Sequence, residues 1–357
     1  MDEPIRFFLP GPTYVRRDVR EAMTAEMIGH RGPAFRELYE SVTAKLPPVF
    51  RTERPVYVAT SSATLLMQSA IMSAVDNRVL HLVCGAFSLR WYDISRSLGV
   101  EADKIEVPWG EAIDPDLVRR ALERLSYDAV TFAHNETSTG VMNPAAEIAA
   151  AVREASDALV MVDTVSSLGG APVEVDEWGL DVVLTGSQKA MALPPGLAFF
   201  ALSERAVERM ETVENRGFYT DMLRYRAKHE GSGTITTPAI SILYAADRQL
   251  DRMLEETMEA RWQRHRDCQR RVVEWAESRD LGFLPQRHRS LTISCLKPPR
   301  GIAAPDLVAG VAERGFVLGG GYGKLKPETF RLGHMGEVGL EDLEPLFRAI
   351  DEVLAEA

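Results

Sequence analysis

The chain has 357 residues, of which 45% are hydrophobic and 26% charged, a balance typical of a globular protein with about two domains. Its 41 basic and 52 acidic residues give a formal net charge of −11, which disfavours a nucleic-acid partner bound through phosphate neutralisation. Cys84, Cys268 and Cys295 are widely spaced, and the histidines show no metal-binding spacing. These two features predict a reduced, cytoplasmic protein without disulfides or a metal site.

No segment predicts secretion or a membrane span. The sequence begins Met1-Asp2-Glu3-Pro4, which is acidic where a signal peptide carries positive charge, and it ends without a peroxisomal address. The longest stretch without a charged or strongly polar residue, 190–202, contains Pro194-Pro195-Gly196 and is too short to cross a hydrocarbon layer of about 30 Å. We therefore expect no contact with membranes.

Short β-rich runs alternate with helical patterns over the first two thirds of the chain. Strands are predicted at 56–59, 79–83, 104–107, 129–133, 158–162, 182–184 and 197–202, and helices at 62–75, 89–98, 114–125 and 144–155. This alternation predicts an α/β fold with a mostly parallel sheet sandwiched by helices. Because ligands of such sheets bind beyond the carboxyl ends of the strands, residues at strand ends are the first candidates for a functional site.

After about residue 237 the pattern changes to helices at 239–250 and 254–276. A smaller α+β pattern follows, with strands at 291–295, 316–318 and 329–332 and helices at 305–313 and 340–354. The predicted division is an N-terminal segment 1–15, a large domain 16–255 and a small domain 256–357. On the second helix, alternation with acidic residues predicts that a basic cluster is a solvated face rather than a nucleic-acid site: Arg261, Arg264, His265, Arg266, Arg270 and Arg271.

Two charged residues follow neighbouring strands of the predicted sheet where the strands end. Asp163 comes directly after strand 158–162, and Lys189 closes the turn after strand 182–184, so both side chains emerge at one edge. Each alone is typical of a helix cap or a surface charge. Together they predict a site for pyridoxal phosphate (PLP), because a lysine amine can form a Schiff base and a carboxylate can pair with the pyridinium nitrogen.

A phosphate cradle is predicted at Thr60-Ser61-Ser62-Ala63-Thr64, which follows strand 56–59 and opens a helix. Backbone N–H groups and hydroxyls at a helix N-terminus favour a bound anion. The alternative is that Ser62 only caps the helix.

Five motifs, in order along nearly the whole chain, resemble those of class V PLP-dependent aminotransferases of fold type I, in particular the alanine–glyoxylate and serine–pyruvate aminotransferases. The motifs are Leu9-Pro10-Gly11-Pro12-Thr13, 134–140, 163–170, 186–190 with Pro194-Pro195-Gly196, and Arg331-Leu332-Gly333-His334-Met335-Gly336. The second departs from the family pattern at Asn135 and Thr137. The resemblance implies a large domain with a seven-stranded sheet and a small C-terminal α+β domain.

The resemblance also implies roles for individual residues. Lys189 would carry the cofactor as a Schiff base and move the substrate proton, and Asp163 would keep the pyridinium nitrogen protonated. Arg331 would clamp the substrate α-carboxylate through two parallel hydrogen bonds, which a guanidinium is shaped to donate. The cofactor phosphate would be bound by Ser62, Ala63, Thr64 and Gln188.

Three further residues follow from the resemblance. Phe87 stands where relatives place a tryptophan that stacks on the cofactor ring, and Ser138 would sit close to that ring. Thr236, in the segment 231–238, would reach the phosphate of a neighbouring subunit. The resemblance therefore implies a homodimer with its active site at the subunit interface.

The implied reaction moves the amino group of a small amino acid, alanine or serine, to glyoxylate or pyruvate. The alternative is an enzyme for an acidic substrate, a phosphoserine or aspartate aminotransferase. In the phosphoserine enzyme, the His30-Arg31 pair of Gly29-His30-Arg31-Gly32-Pro33 could bind the side-chain phosphate; Arg31 could equally tie the N-terminal segment to the domain. A cysteine desulfurase-like lyase is disfavoured, because Cys295 falls in a predicted strand and Phe87 takes the stacking position. The intact Lys189 argues against a non-catalytic protein on this fold.

One glycine-rich motif is set aside. Gly319-Gly320-Gly321-Tyr322-Gly323-Lys324 resembles a Walker loop, but Leu325 replaces the hydroxyl residue that would bind Mg²⁺. It is interpreted as a loop near the substrate mouth.

Overall fold

The protein is described by a computed structural model over residues 5–356, so the acidic first four residues and Ala357 lie outside the description. Its strands in chain order are β1 Phe7–Phe8, β2 Val56–Ala59, β3 Arg78–Val83, β4 Glu101–Glu106, β5 Ala129–Ala133, β6 Asn135–Glu136, β7 Val141–Met142, β8 Leu159–Asp163, β9 Val182–Gly186, β10 Ala198–Leu202, β11 Gly282–Phe283, β12 Ile293–Lys297, β13 Val317–Gly320 and β14 Phe330–Gly333. Its helices are α1 Arg17–Ala22, α2 Pro33–Phe50, α3 Ala63–Ala74, α4 Ala86–Ser97, α5 Pro115–Leu122, α6 Ala145–Ala155, α7 Glu204–Thr212, α8 Met222–His229, α9 Ile240–Glu256, α10 Met258–Glu277, α11 Ala304–Glu313 and α12 Leu340–Glu356.

A seven-stranded sheet in the order β2-β10-β9-β8-β5-β3-β4 forms the centre of the large unit. β10 runs antiparallel to both of its neighbours, and the other neighbouring pairs are parallel. Successive residues of β8 point to opposite faces, with Val160 and Val162 in one hydrophobic cluster and Leu159 and Met161 in the other. Burial on both faces explains why the central strands are continuous apolar runs in the sequence. The predicted α/β fold is confirmed.

A second sheet of five strands, in the order β1-β13-β14-β12-β11, forms the smaller unit. Phe7–Phe8 pairs in parallel with β13, so the N-terminal segment joins the sheet built by the C-terminal part of the chain. Helices α10 and α12 pack together beside it, and the ring of Trp275 stacks on that of Phe347 at 4.3 Å. The predicted small α+β unit is therefore present.

The helical stretch before that unit is interrupted at Thr257. This residue has a φ of 67°, and its side chain accepts a hydrogen bond from the Ala260 N–H (3.3 Å), which caps α10. The break lies beside the predicted domain boundary at residue 255, and the division at that residue stays a prediction. Across residues 5–356, none of the helices is both long and apolar enough to cross a membrane.

Candidate active site

The carboxyl ends of β8 and β9 open into one cavity. Asp163 is the last residue of β8, and Lys189 follows the end of β9 by three residues. The structure brings both to this cavity with five other predicted site residues, and its full lining is Ser62, Ala63, Thr64, Met67, Phe87, Arg90, Thr137, Asp163, Val165, Ser166, Gln188 and Lys189. The parallel pairing of β8 with β9 places the two charged groups at the same edge.

The N-terminal segment holds the Lys189 turn in place. The amine of Lys189 donates a hydrogen bond to the Pro10 carbonyl. Thr13 donates its N–H to the Gln188 carbonyl (3.1 Å) and its hydroxyl to the Lys189 carbonyl (2.9 Å). Gly11 has a φ of +121° and lies so close that any Cβ there would collide with the Lys189 side chain. Only glycine therefore suits this contact.

Burial shifts the titration of both charged groups. It raises the pKa of Asp163 to about 7, an effect opposed by the Val165 N–H, which donates to Oδ1 at 2.8 Å. It lowers the pKa of Lys189 to about 8, and the positive charge of Arg331 lowers it further while Asp163 opposes the shift. About a tenth of the Lys189 amine is therefore unprotonated, and so nucleophilic, at pH 7, far more than for an ordinary lysine.

The start of α3 borders the same cavity through Ser62, Ala63 and Thr64. Ser62 is the N-cap residue, yet its side chain makes no capping hydrogen bond. The hydroxyl of Ser61 is buried and has no partner among the described residues. The alternative in which Ser62 only caps the helix therefore finds no support, and this helix start suits an anion.

Phe87 and Ser138 are positioned by a buried carboxylate, Glu136. The Glu136 side chain accepts hydrogen bonds from the N–H of Phe87 (3.1 Å), the N–H of Ser88 (2.9 Å) and the hydroxyl of Ser138 (2.6 Å). The Ser138 hydroxyl in turn accepts from the Ala86 N–H (2.9 Å). Phe87 borders the cavity, with the Lys189 amine 5.6 Å from its ring centre, whereas Ser138 lies behind it and does not line the cavity.

Arg331 reaches from β14 of the small unit towards the large one. It is 9% exposed, and its Nε and Nη1 donate to the carbonyls of Gly320 (2.9 Å) and Thr137 (3.3 Å). Burial lowers its pKa, but an arginine stays charged in the physiological range. These two bonds use part of the five-donor guanidinium, and within residues 5–356 the side chain forms no ion pair.

Arg31 and Thr236 lie elsewhere. Both are exposed and line a second cavity together with His30, Arg36 and Gly233. Neither residue lines the Lys189 cavity, so the fold of the chain does not bring them to Asp163 and Lys189.

Comparison with known proteins identifies the family. The model of the family described as aminotransferase class-V matches residues 22–322. The chain belongs to this family. An uncharacterized aminotransferase of Methanocaldococcus jannaschii is 37% identical, over 98% of this chain and 92% of its own. An alanine–glyoxylate aminotransferase from Nostoc sp. has a TM-score of 0.92 at 30% identity, covering 99% of this chain and 96% of its own. An aspartate aminotransferase from Thermus thermophilus has a TM-score of 0.91 at 31% identity, covering 99% of both chains.

The prediction of a solvated basic face on this aminotransferase is wrong for Arg261 and His265, which are 1% and 0% exposed. Arg261 donates to the carbonyls of Gly169 (2.8 Å) and Ala190 (3.3 Å) and pairs with Glu337 (2.9 Å). It thus connects the loops that follow Asp163, Lys189 and Arg331. Helical spacing alone could not reveal this, because the side chain extends into the junction between the two units.

We expect Arg261→Met to lower the free energy of unfolding by about 3 kcal/mol, because it removes one charge partner of the buried Glu337 carboxylate, which keeps Arg16, and leaves the Gly169 and Ala190 carbonyls without this donor. Denaturant titration measures the change. Arg271→Met, on the same helix but in an exposed pair with Glu344, is the matched control and should cost no more than about 1 kcal/mol. Equal losses in the two variants would contradict the linking role of Arg261.

Sequence reasoning also missed Glu136 and Arg90. Glu136 lies inside the motif 134–140, and an acidic residue among small polar residues could have indicated a buried carboxylate at the site. Arg90 stands one helical turn after Phe87, so the i, i+3 spacing on α4 could have placed it at the same cavity. Within the described residues, no group of three or more His, Cys, Asp and Glu side chains is arranged to hold a metal ion.

Proposed function

We propose that this aminotransferase uses PLP to move the amino group of a short L-amino acid to glyoxylate or pyruvate. The observation that carries the proposal is the partly buried Lys189 amine in one cavity with the buried Asp163 carboxylate. The Nostoc relative, named for alanine and glyoxylate, supports the choice of substrates.

The cavity fits PLP in three respects. The unpartnered Ser61 hydroxyl and the uncapped start of α3 would hold the phosphate with Ser62, Ala63, Thr64 and Gln188. Asp163 would face the ring nitrogen, and Phe87 would cover one face of the ring. Ser138 would act indirectly: its hydroxyl accepts a hydrogen bond from the Ala86 N–H and so fixes the first residues of α4.

PLP, when bound, withdraws electrons from the substrate Cα and so acidifies its proton. Lys189 would accept that proton at Nζ and deliver it to the C4′ carbon of the cofactor, a task suited to an amine whose pKa lies near 8. Asp163 would supply a negative charge that keeps a proton on the ring nitrogen of PLP. Arg331 binds the α-carboxylate through its remaining N–H donors and so orients the Cα–H bond.

We further propose a cytoplasmic homodimer in which Arg31 and Thr236 complete the partner's site. Their placement on an exposed cavity, away from Lys189 of their own protomer, supports this arrangement. Mixing a Lys189→Ala chain with a Thr236→Ala chain tests it, since shared sites would give heterodimers with one site free of both substitutions. Light scattering that finds an active monomer would contradict the dimer.

The lowered pKa of Lys189 predicts how covalent attachment of PLP depends on pH. Below pH 8 the amine is mainly protonated and cannot attack the aldehyde, so the attachment rate to cofactor-free protein should rise about tenfold per pH unit and level off above pH 8. Stopped-flow absorbance measures this rate. Arg331→Gln should move the midpoint upward, because the Arg331 charge contributes to the shift. A rate that still climbs at pH 10 would contradict the assignment.

A donor-by-acceptor panel tests the reaction itself. We expect turnover of alanine, serine or aspartate with glyoxylate or pyruvate, and inactivity with every donor would defeat the proposal. O-phospho-L-serine is the alternative donor, and its side-chain phosphate would be bound by Arg31 of the neighbouring subunit. Sulfide release from cysteine is not expected, since burial raises the pKa of the Cys295 thiol to about 11. Failure to bind PLP would favour a non-catalytic protein.

A further inference from the structure

Arg90 borders the Lys189 cavity and has no role in the mechanism above. It lies on α4, and its guanidinium carbon is 4.7 Å from the centre of the Phe87 ring. The Lys189 amine lies 5.6 Å from the same ring centre. Two positive groups therefore share one aromatic ring at the cavity wall, and Arg90 is within reach of a molecule bound beside Lys189.

The charge of Arg90 is not neutralised by the protein. Its Nη2 donates to the Tyr322 hydroxyl at 3.2 Å, and its Nη1 lies 3.5 Å from the Thr64 hydroxyl. No acidic side chain between residues 5 and 356 forms an ion pair with it. A guanidinium stays charged at physiological pH and presents a flat, forked set of donors that matches a carboxylate.

Tyr322 connects Arg90 to the predicted α-carboxylate clamp. The Tyr322 ring centre lies 5.4 Å from the guanidinium carbon of Arg331, while its hydroxyl accepts the hydrogen bond from Arg90. The Tyr322 ring also packs against Phe87, with ring centres 5.3 Å apart. Tyr322 thus contacts both guanidinium groups: that of Arg90, which lines the cavity, and that of Arg331, which does not line it but bonds to the carbonyl of the lining residue Thr137.

We propose that Arg90 binds the side-chain carboxylate of a dicarboxylic amino donor, so that L-aspartate is preferred to L-alanine and L-serine. The inference rests on the proposed function and names the donor for that reaction. A competing role, binding of the cofactor phosphate, is less well supported. The contact with Thr64 is the longer of the two hydrogen bonds, and the shorter one joins Arg90 to Tyr322, whose ring contacts Arg331.

The first test compares donors in Arg90→Gln and Arg90→Lys. Loss of a charge-assisted, forked contact should lower the ratio of kcat/KM for aspartate to that for alanine about 10- to 100-fold in Arg90→Gln. Arg90→Lys keeps the charge without the fork and should fall between Arg90→Gln and wild type. Tyr322→Phe should lower the ratio a few-fold. Arg96→Gln, an exposed arginine on the same helix, is the matched control and should leave the ratio unchanged.

The second test measures binding by calorimetry on the PLP-loaded protein, with succinate and propionate as non-reacting probes. We expect wild type to bind succinate more tightly than propionate and Arg90→Gln to lose that preference. If Arg90→Gln left the ratio of kcat/KM for aspartate to that for alanine unchanged, the proposal would be overturned. If this variant bound PLP more weakly but still preferred succinate, Arg90 would instead bind the cofactor phosphate. Preference for O-phospho-L-serine over aspartate would overturn the carboxylate assignment.

The two tests separate this inference from the proposed function. If wild type transaminates alanine but not aspartate, the inference fails and the function stands. If no donor reacts, the function fails, and the succinate titration still decides whether Arg90 binds a second carboxylate. Circular dichroism and thermal unfolding of each variant establish that the changes do not arise from misfolding.

Discussion

Replacement of Lys189 with alanine should lower kcat for transamination at least about 10⁴-fold, because it removes both the nucleophilic amine and the group that moves the Cα proton. The Lys189 amine lies in the cavity with Asp163 and has a pKa near 8. A surface lysine of ordinary pKa, outside this cavity, cannot take over its two tasks in the variant. The measurements are single-turnover kinetics and the visible absorbance of the PLP-loaded protein. The variant should bind PLP through Asp163 and the α3 helix start, but without a covalent link.

Two controls make the Lys189 result specific. Lys104→Ala removes a lysine on the edge strand β4, remote from the cavity, and should leave kcat unchanged. Added ethylamine should restore part of the proton transfer in Lys189→Ala, because a small amine can occupy the vacated space. Borohydride reduction of wild type followed by peptide mapping should place the cofactor on Lys189. Trapping on another lysine, or a variant that retains wild-type turnover, would remove the basis of the assignment.

The sequence was most informative where one local pattern dominates the structure. The central strands are apolar because they are buried on both faces, and Asp163 and Lys189 follow strands that prove to be adjacent and parallel. The edge of the sheet at which they meet is set by topology, which the alternating pattern already implies. For the same reason, the predicted phosphate cradle lies at a true helix start.

The sequence was least informative where distant segments meet. Phe7–Phe8 is too short to predict as a strand, and it becomes one only by pairing with β13. The helix α2, Pro33–Phe50, was not predicted, and Pro47 and Pro48 stand inside its last turn. Arg261 has the spacing of a solvated helix face, but α10 turns that side chain into the junction between the two units. Such burial depends on tertiary packing, which periodicity does not encode.

The site itself combines both kinds of information. Five of its segments could be named from motifs, yet their relation to one another could not. The link from Arg331 through Tyr322 to Arg90 joins β14, the loop after β13 and α4, which are far apart in sequence. A motif search assigns Arg331 to the α-carboxylate, but only the structure places a second guanidinium near it. Donor choice is therefore a property of the assembled cavity.

Arg331→Gln should lower kcat/KM about 100- to 1,000-fold for every amino donor, because each substrate has an α-carboxylate and loses two charge-assisted hydrogen bonds. Arg331→Lys should recover little of this loss, since an ammonium group is a point charge without the fork. Steady-state kinetics with alanine and aspartate measures both variants. Arg314→Lys, at a partly buried arginine of the small unit that pairs with Glu352, is the control and should be nearly neutral.

The pattern across donors separates the two cavity arginines. Loss of Arg331 should lower kcat/KM for alanine and aspartate alike, whereas loss of Arg90 should lower mainly the kcat/KM for aspartate. The difference follows from position, because Arg331 bonds to the Thr137 carbonyl, whereas Arg90 lies over the Phe87 ring and bonds to the Tyr322 hydroxyl. If Arg331→Gln lowered kcat/KM for aspartate but not for alanine, the two roles would have to be exchanged. Arg90 would then bind the α-carboxylate and Arg331 the side-chain carboxylate.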